Sequence, residues 1–108
     1  MTMIEVTKVG RAVVIRPTCR RLDAASAVDF RAEAGAAVDG SPLVVVHLGG
    51  VEFIDSSGLG SLVSLIKRLP PGGTIRLAEV PESVRTLLRM TRLDKVLPHF
   101  PTVETAAT

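Results

Sequence analysis

The stretch from Ser41 to Gly50, SPLVVVHLGG, constrains the fold of this chain more than any other. Its β-branched run carries no polar alternation, so as a strand it has to be covered on both faces. That marks a central strand, which needs neighbours in its sheet and helices packed over it.

The flanking sequence supplies both. IEVTKVGRAVVIRP reads as extended segments over residues 4–7 and 12–16, joined by a turn at Val9 and Gly10 and halted by Pro17. This is a hairpin. Asp23 then precedes AASAVDFRAEAGAAVDG, where Ala27, Phe30, Ala34 and Val38 recur at helical spacing and Gly40 stands where a helix would end. The first helix is therefore expected over residues 24–39.

Beyond the central strand, Leu59, Leu62, Val63, Ile66 and Leu69 fall within an arc of roughly 120° at the helical 100° per residue. They predict a second helix over residues 57–69, stopped by LPPGG. TIRLAEV supplies another strand, and Pro81, Glu82 and Ser83 open a third helix over residues 82–90 with Val84, Leu87 and Leu88 on one side. LPHF reads as a last short strand. The final PTVETAAT has too little apolar content to pack as a helix of its own and is expected to fray.

The order β-β-α-β-α-β-α gives an α/β fold with a mixed sheet, each strand-helix-strand unit implying right-handed parallel pairing. Pattern alone leaves open whether helices cover one face or both. The 108 residues fit one domain, which excludes a large two-domain enzyme.

Composition narrows the classes further. With 46% hydrophobic and 22% charged residues the chain is globular, and no apolar run approaches membrane-spanning length. The opening MTMIEVTKVG lacks the layout of a secretory signal, so the expected location is the cytoplasm, without membrane insertion. A lone cysteine, Cys19, allows neither an internal disulfide nor a cysteine-rich zinc site, and is expected as a small apolar residue at a strand end. A net charge of +2, three Phe and no Trp or Tyr leave few stacking platforms, so direct nucleic-acid binding is not expected.

One stretch resists a purely structural reading: VEFIDSSGLGSLVSL, residues 51–65. Gly58 and Gly60 sit in the first turns of the second helix, where each costs about 1 kcal/mol relative to Ala. Glycines are tolerated there if another backbone or a ligand must come close, or if the junction needs unusual dihedrals.

Familiar ligand motifs fail. Gly58-Leu59-Gly60 begins a dinucleotide fingerprint, but Val63 holds the third glycine position and the pair does not directly follow the strand. No P-loop string occurs, and Asp55 stands where the glycine of a G-x-S-x-G elbow belongs. His47 and His99 have no triad partner, and His47 reads as a satisfied core residue. Arg85, Arg89 and Arg92 read as a solvated basic stripe. What remains is a hydroxyl at a helix N-terminus, where free N–H groups and the dipole favour an anion. Ser56 or Ser57 could carry a phosphate there; equally, Asp55, Ser56 or Ser57 could simply cap the helix.

FIDSSGLG resembles the signature of anti-sigma factor antagonists, bacterial members of the STAS domain family. RLDAASAVDFR resembles that family's entry to its first helix, PLVVVHLGGVEFIDSSGLGSLVSLIKRL its central strand, loop and helix, and VPESVRTLLRMTRLDKVLPHF its third helix and last strand. The resemblance spans nearly the whole chain. It implies a STAS domain over residues 1–108, with a mixed sheet of four to five strands and helices mainly on one face.

It further implies a protein without catalysis, cofactor or metal, which captures an anti-sigma factor serine kinase and so frees a sigma factor. The serine after the motif aspartate, here Ser56, is the one phosphorylated in the family, blocking capture until a serine phosphatase restores it. On this basis the partner-binding set is Asp23, Asp55, Ser56, Ser57, Gly58, Leu59, Gly60, Ser61 and Ser64. Gly58 and Gly60 are expected to keep the helix start low beneath the partner's backbone, with Ser57, Ser61 and Ser64 in a small-residue docking face.

Three features depart from the family. Arg20 and Arg21 replace the usual Gly-Glu ahead of Leu22-Asp23, making the adjoining surface more basic. Arg92 stands where a glycine commonly ends the third helix, at a cost of about 1 kcal/mol for a left-handed turn. The C-terminal helix is cut short. The alternative function is a non-switching STAS subunit of a larger assembly, a membrane lipid-transport complex or a stress-sensing particle; a small nucleotide-binding or hydrolytic protein is a third class.

Overall fold

Gly10 has φ 59°, the left-handed value that a two-residue hairpin turn favours, and it joins β1 (Ile4–Val9) to β2 (Ala12–Pro17) with Val9 opposite Ala12. The computed structural model describes residues 2–108. After the hairpin come β3 (Arg21–Leu22), α1 (Ala27–Val38), β4 (Leu43–His47), β5 (Phe53–Ile54) and α2 (Ser56–Ser64). A 3-10 turn over Leu65–Arg68 leads to β6 (Thr74–Ala78), α3 (Glu82–Met90), a second 3-10 turn, β7 (His99–Phe100) and α4 (Val103–Ala106).

The main sheet is mixed and five-stranded, in the order β1-β2-β4-β6-β7. Only the hairpin is antiparallel; β2-β4, β4-β6 and β6-β7 are parallel. β4 is central, as its unbroken apolar run requires. Val44 and Val46 face the large core with Phe30 and Ala34 of α1, Leu59 and Leu62 of α2, and Val84 and Leu88 of α3. Leu43 and Val45 face the other way, onto a smaller cluster closed by Ala106 of α4. Three helices thus lie on one face and a single short one on the other.

Four features differ from the sequence reading. The first helix starts at Ala27, because residues 23–26 form a turn in which the Ser26 hydroxyl donates to the Arg21 carbonyl at 2.7 Å. The second ends its α-helical part at Ser64 and tightens to 3-10 geometry before Leu69, which is extended ahead of Pro70 as a residue before proline prefers. The β3-β5 pair, two residues from each strand, has no counterpart in the sequence pattern.

The C-terminus is the fourth, for it does not fray. Thr102 and Thr105 form a reciprocal capping box, Ala106 is fully buried, and the Arg76 guanidinium donates to the carbonyls of Ala106 and Thr108 at 2.8 Å each. Tertiary contacts order a helix too short to stand alone. Arg92 does adopt the left-handed conformation, with φ 61°.

Candidate functional site

The site is organised by Asp55, the N-cap of α2. Its backbone is extended, and its carboxylate accepts the Gly58 N–H at 3.0 Å and, through the other oxygen, the Ala24 N–H at 3.3 Å. One side chain therefore caps α2 and ties it to the segment that leads into α1. Parallel pairing of Leu22 with Ile54, with the Asp55 N–H on the Leu22 carbonyl at 3.3 Å, brings Asp23 and Asp55 to the same end of the small sheet.

With Asp55 as cap, the two serines are released from that duty. Ser56 is the first residue of α2, Ser57 the second, and both are exposed. Neither hydroxyl has a protein hydrogen-bond partner among the described residues.

The two glycines separate into different roles. A Cβ on Gly58 would overlap the Leu22 carbonyl oxygen and lie 2.8 Å from Ile54 Cγ2. Gly58 is therefore buried where β3 crosses the first turn of α2, and the expectation that it keeps the surface low for a partner gives way to a role in the fold. Nothing lies within 4 Å of a Cβ on Gly60, which faces open space.

The remaining candidates are divided by burial. Leu59 belongs to the core, and Ser61, 3% exposed, donates its hydroxyl to the Gly58 carbonyl at 2.6 Å. Ser64 is half-buried and bonds the Ser61 carbonyl at 2.7 Å. Ser56, Ser57 and Gly60 are thus the exposed members, with Asp23 and Asp55 half-buried beside them.

Asp23 is held in place from several sides. Partial desolvation pushes its carboxyl pKa up, but the Ala25 N–H, the Arg21 side chain and the Ser26 N–H together outweigh it, holding the group below its ordinary value. Arg21 lies 3.3 Å from Asp23 with its guanidinium 4.1 Å from the centroid of the Phe53 ring, and Arg20 lies 3.8 Å from Glu52. Each of the arginines expected to make this surface basic is matched by a carboxylate. Phe53, 40% exposed, escaped the sequence reading because only the β3-β5 register sets it opposite Arg21.

The other singled-out residues lie outside this cluster. His47 Nε2 meets Glu79 at 3.2 Å while Nδ1 has no partner, so it is only half satisfied. Cys19 packs half-buried against the core. Arg89 and Arg92 are exposed, whereas Arg85 is partly buried. Among the described residues no group of three or more His, Cys, Asp or Glu side chains could hold a metal ion, and no helix is long and apolar enough to cross a membrane.

Comparison with known proteins places this geometry. The family model for the STAS domain matches residues 3–106. An anti-sigma-factor antagonist (STAS) domain protein from Planctomyces limnophilus superimposes with a TM-score of 0.89 at 30% identity, over 99% of this chain and 96% of that one. An anti-sigma factor antagonist from Mycobacterium paratuberculosis gives 0.85 at 27% identity, over 95% and 88%. The anti-sigma factor antagonist SpoIIAA in its unphosphorylated form gives 0.75 at 25% identity, over 95% and 91%.

Proposed function

This chain belongs to the STAS domain family, and we propose that it is an anti-sigma factor antagonist switched by phosphorylation of Ser56. Unphosphorylated, it captures an anti-sigma factor serine kinase in the cytoplasm and so frees a sigma factor. Phosphate on Ser56 blocks capture, and a serine phosphatase restores it. The domain itself performs no catalysis.

The observation that carries this reading is the division of labour at the start of α2. Asp55 caps the helix, so the exposed Ser56 hydroxyl is left unused at the positive end. SpoIIAA, which is similar to this chain, exists in unphosphorylated and phosphorylated forms.

Magnitudes favour a switch that acts on docking rather than folding. A phosphoserine adds about −1.5 to −2 charge at pH 7 and three acceptor oxygens. The helix end favours it by about 0.3 to 1 kcal/mol. A carboxylate such as Asp55 or Asp23, taken at about 6 Å, opposes it by roughly 0.7 kcal/mol per unit-charge pair in water. For a dianion beside both carboxylates the repulsion exceeds the helix term by about 1–2 kcal/mol before salt screening, small against the stability of a folded domain. In a closed interface the phosphate loses its water and costs several kcal/mol unless paired. Since about 1.4 kcal/mol is tenfold, affinity falls by roughly a hundredfold or more.

The test is incubation with candidate anti-sigma kinases and ATP, followed by intact mass and peptide mapping. One phosphate on Ser56, with loss of capture, supports the switch. No transfer from any candidate kinase favours a non-switching subunit of a larger assembly.

A further inference from the structure

A groove runs between α1 and α2, starting beside the phosphosite. It consists of two depressions of about 330 Å³ each, which share Val28 and Arg31 as lining residues. The mouth is bounded by Ser57 and Gly60, and the far end by Lys67 and Arg68.

The chemistry of its floor is set by hydrogen bonds already made. Ser61 and Ser64 both line the groove, yet each hydroxyl proton is committed to a carbonyl three residues back. Around them Ala27 presents hydrocarbon and Val28 stands 63% exposed on the wall, while at the far end the Arg68 guanidinium lies over Gly35, 2.8 Å from where a Cβ on that glycine would stand. The walls are helices whose own N–H and C=O groups are paired internally. An extended peptide lying here would find no backbone partners, whereas a helix brings its own already satisfied.

The charge is one-sided. Arg31, Lys67 and Arg68 line the groove and no carboxylate does. Arg68 is paired with Asp39 at 3.1 Å, while Arg31 and Lys67 have no ion pair among the described residues.

We propose that this groove receives an α-helix of the anti-sigma factor, with a small apolar stripe against the floor and carboxylates placed to meet Arg31 and Lys67. The identity of the partner rests on the function proposed above; the chemistry of its helix rests on the groove. An acidic helix whose end lies beside Ser56 is also the kind of occupant that a phosphate dianion repels.

Two experiments separate this proposal from the Ser56 switch. In the first, the ¹⁵N-labelled protein is titrated with a stapled peptide helix of Ala, Leu and Glu, and with its counterpart in which Lys replaces Glu. The Glu helix is expected to shift the amides of Val28, Arg31, Gly60 and Ser64 saturably and the Lys helix not. R31E/K67E should weaken the Glu helix by about tenfold or more, and Gly60→Leu, which fills the mouth, should do so without altering charge. Both variants sit at exposed positions, and thermal unfolding verifies that they fold. Absence of a saturable shift, shifts elsewhere, or equal response to the Lys helix overturns the groove.

In the second, R31E/K67E is offered to the kinase that modifies Ser56. Capture weakened in parallel with the peptide supports the groove. Undiminished capture overturns it while leaving the switch standing. Binding of the Glu helix in the absence of any Ser56 kinase has the opposite meaning: it supports the groove and removes the switch.

Discussion

The carbonyl oxygen of Leu22 fills the space that a side chain on residue 58 would need. Gly58→Val must therefore push β3 off the first turn of α2. Overpacking of this kind costs about 1–3 kcal/mol and more against rigid backbone. Urea unfolding should show a loss at or above that range, with binding lost as a consequence of misfolding.

Gly60 should behave in the opposite way. Its Cβ direction is open, so Gly60→Ala removes a helix-weakening residue without a clash and should stabilise by about 1 kcal/mol. Equal destabilisation by Ala at 58 and 60, in the same denaturation assay, would contradict the separation of their roles.

Asp55→Ala removes the α2 cap and the tie to Ala24 together. The expected loss is about 0.5–2 kcal/mol. Asp55→Asn keeps one acceptor oxygen, enough for the cap to Gly58 but not for Ala24 as well, and should recover only part of the loss, as read from chemical denaturation.

Substitution at the two serines distinguishes charge from fold. Ser56→Asp should weaken capture of the anti-sigma factor and leave the unfolding midpoint almost unchanged, since surface substitutions usually stay within about 0.5 kcal/mol. Weakening by Ser57→Asp but not by Ser56→Asp, measured by calorimetry, would move the switch one residue along the helix.

Acid sensitivity has a local source in Asp23. Its carboxyl pKa is depressed in the folded state, so its contribution to stability is present above the unfolded value, near 3.8, and is lost as pH falls through the folded one. Asp23→Asn should flatten the decline in stability below about pH 4, followed by urea midpoints across that range.

Much of the fold was legible because burial leaves a periodic trace. The unalternating Val44-Val45-Val46 run marked the centre of the sheet, and the helical spacing of Phe30, Ala34 and Val38 marked the face of α1. What stayed hidden depends on contacts between distant segments. The pairing of Arg21 with Phe53 involves too few residues to leave a pattern. Helix α4 is ordered by Arg76, some 30 positions earlier.

The candidate site followed the same rule. The DSSGLG string marked the candidate place, but the contacts of each member depend on its three-dimensional neighbours. Nothing in the spelling of Gly58 and Gly60 says that one lies under a carbonyl and the other faces open space. Nor does the sequence reveal that Ser61 has already committed its proton to Gly58.

The bond from Ala24 to Asp55 ties the approach to α1 to the start of α2 before any partner arrives. A surface already set in its docking shape surrenders little conformational freedom on association. Under the switch proposed for Ser56, capture and release would reduce to an electrostatic contest at that hydroxyl, and removal of the phosphate would return the protein to readiness at once, with no slow rearrangement to wait for.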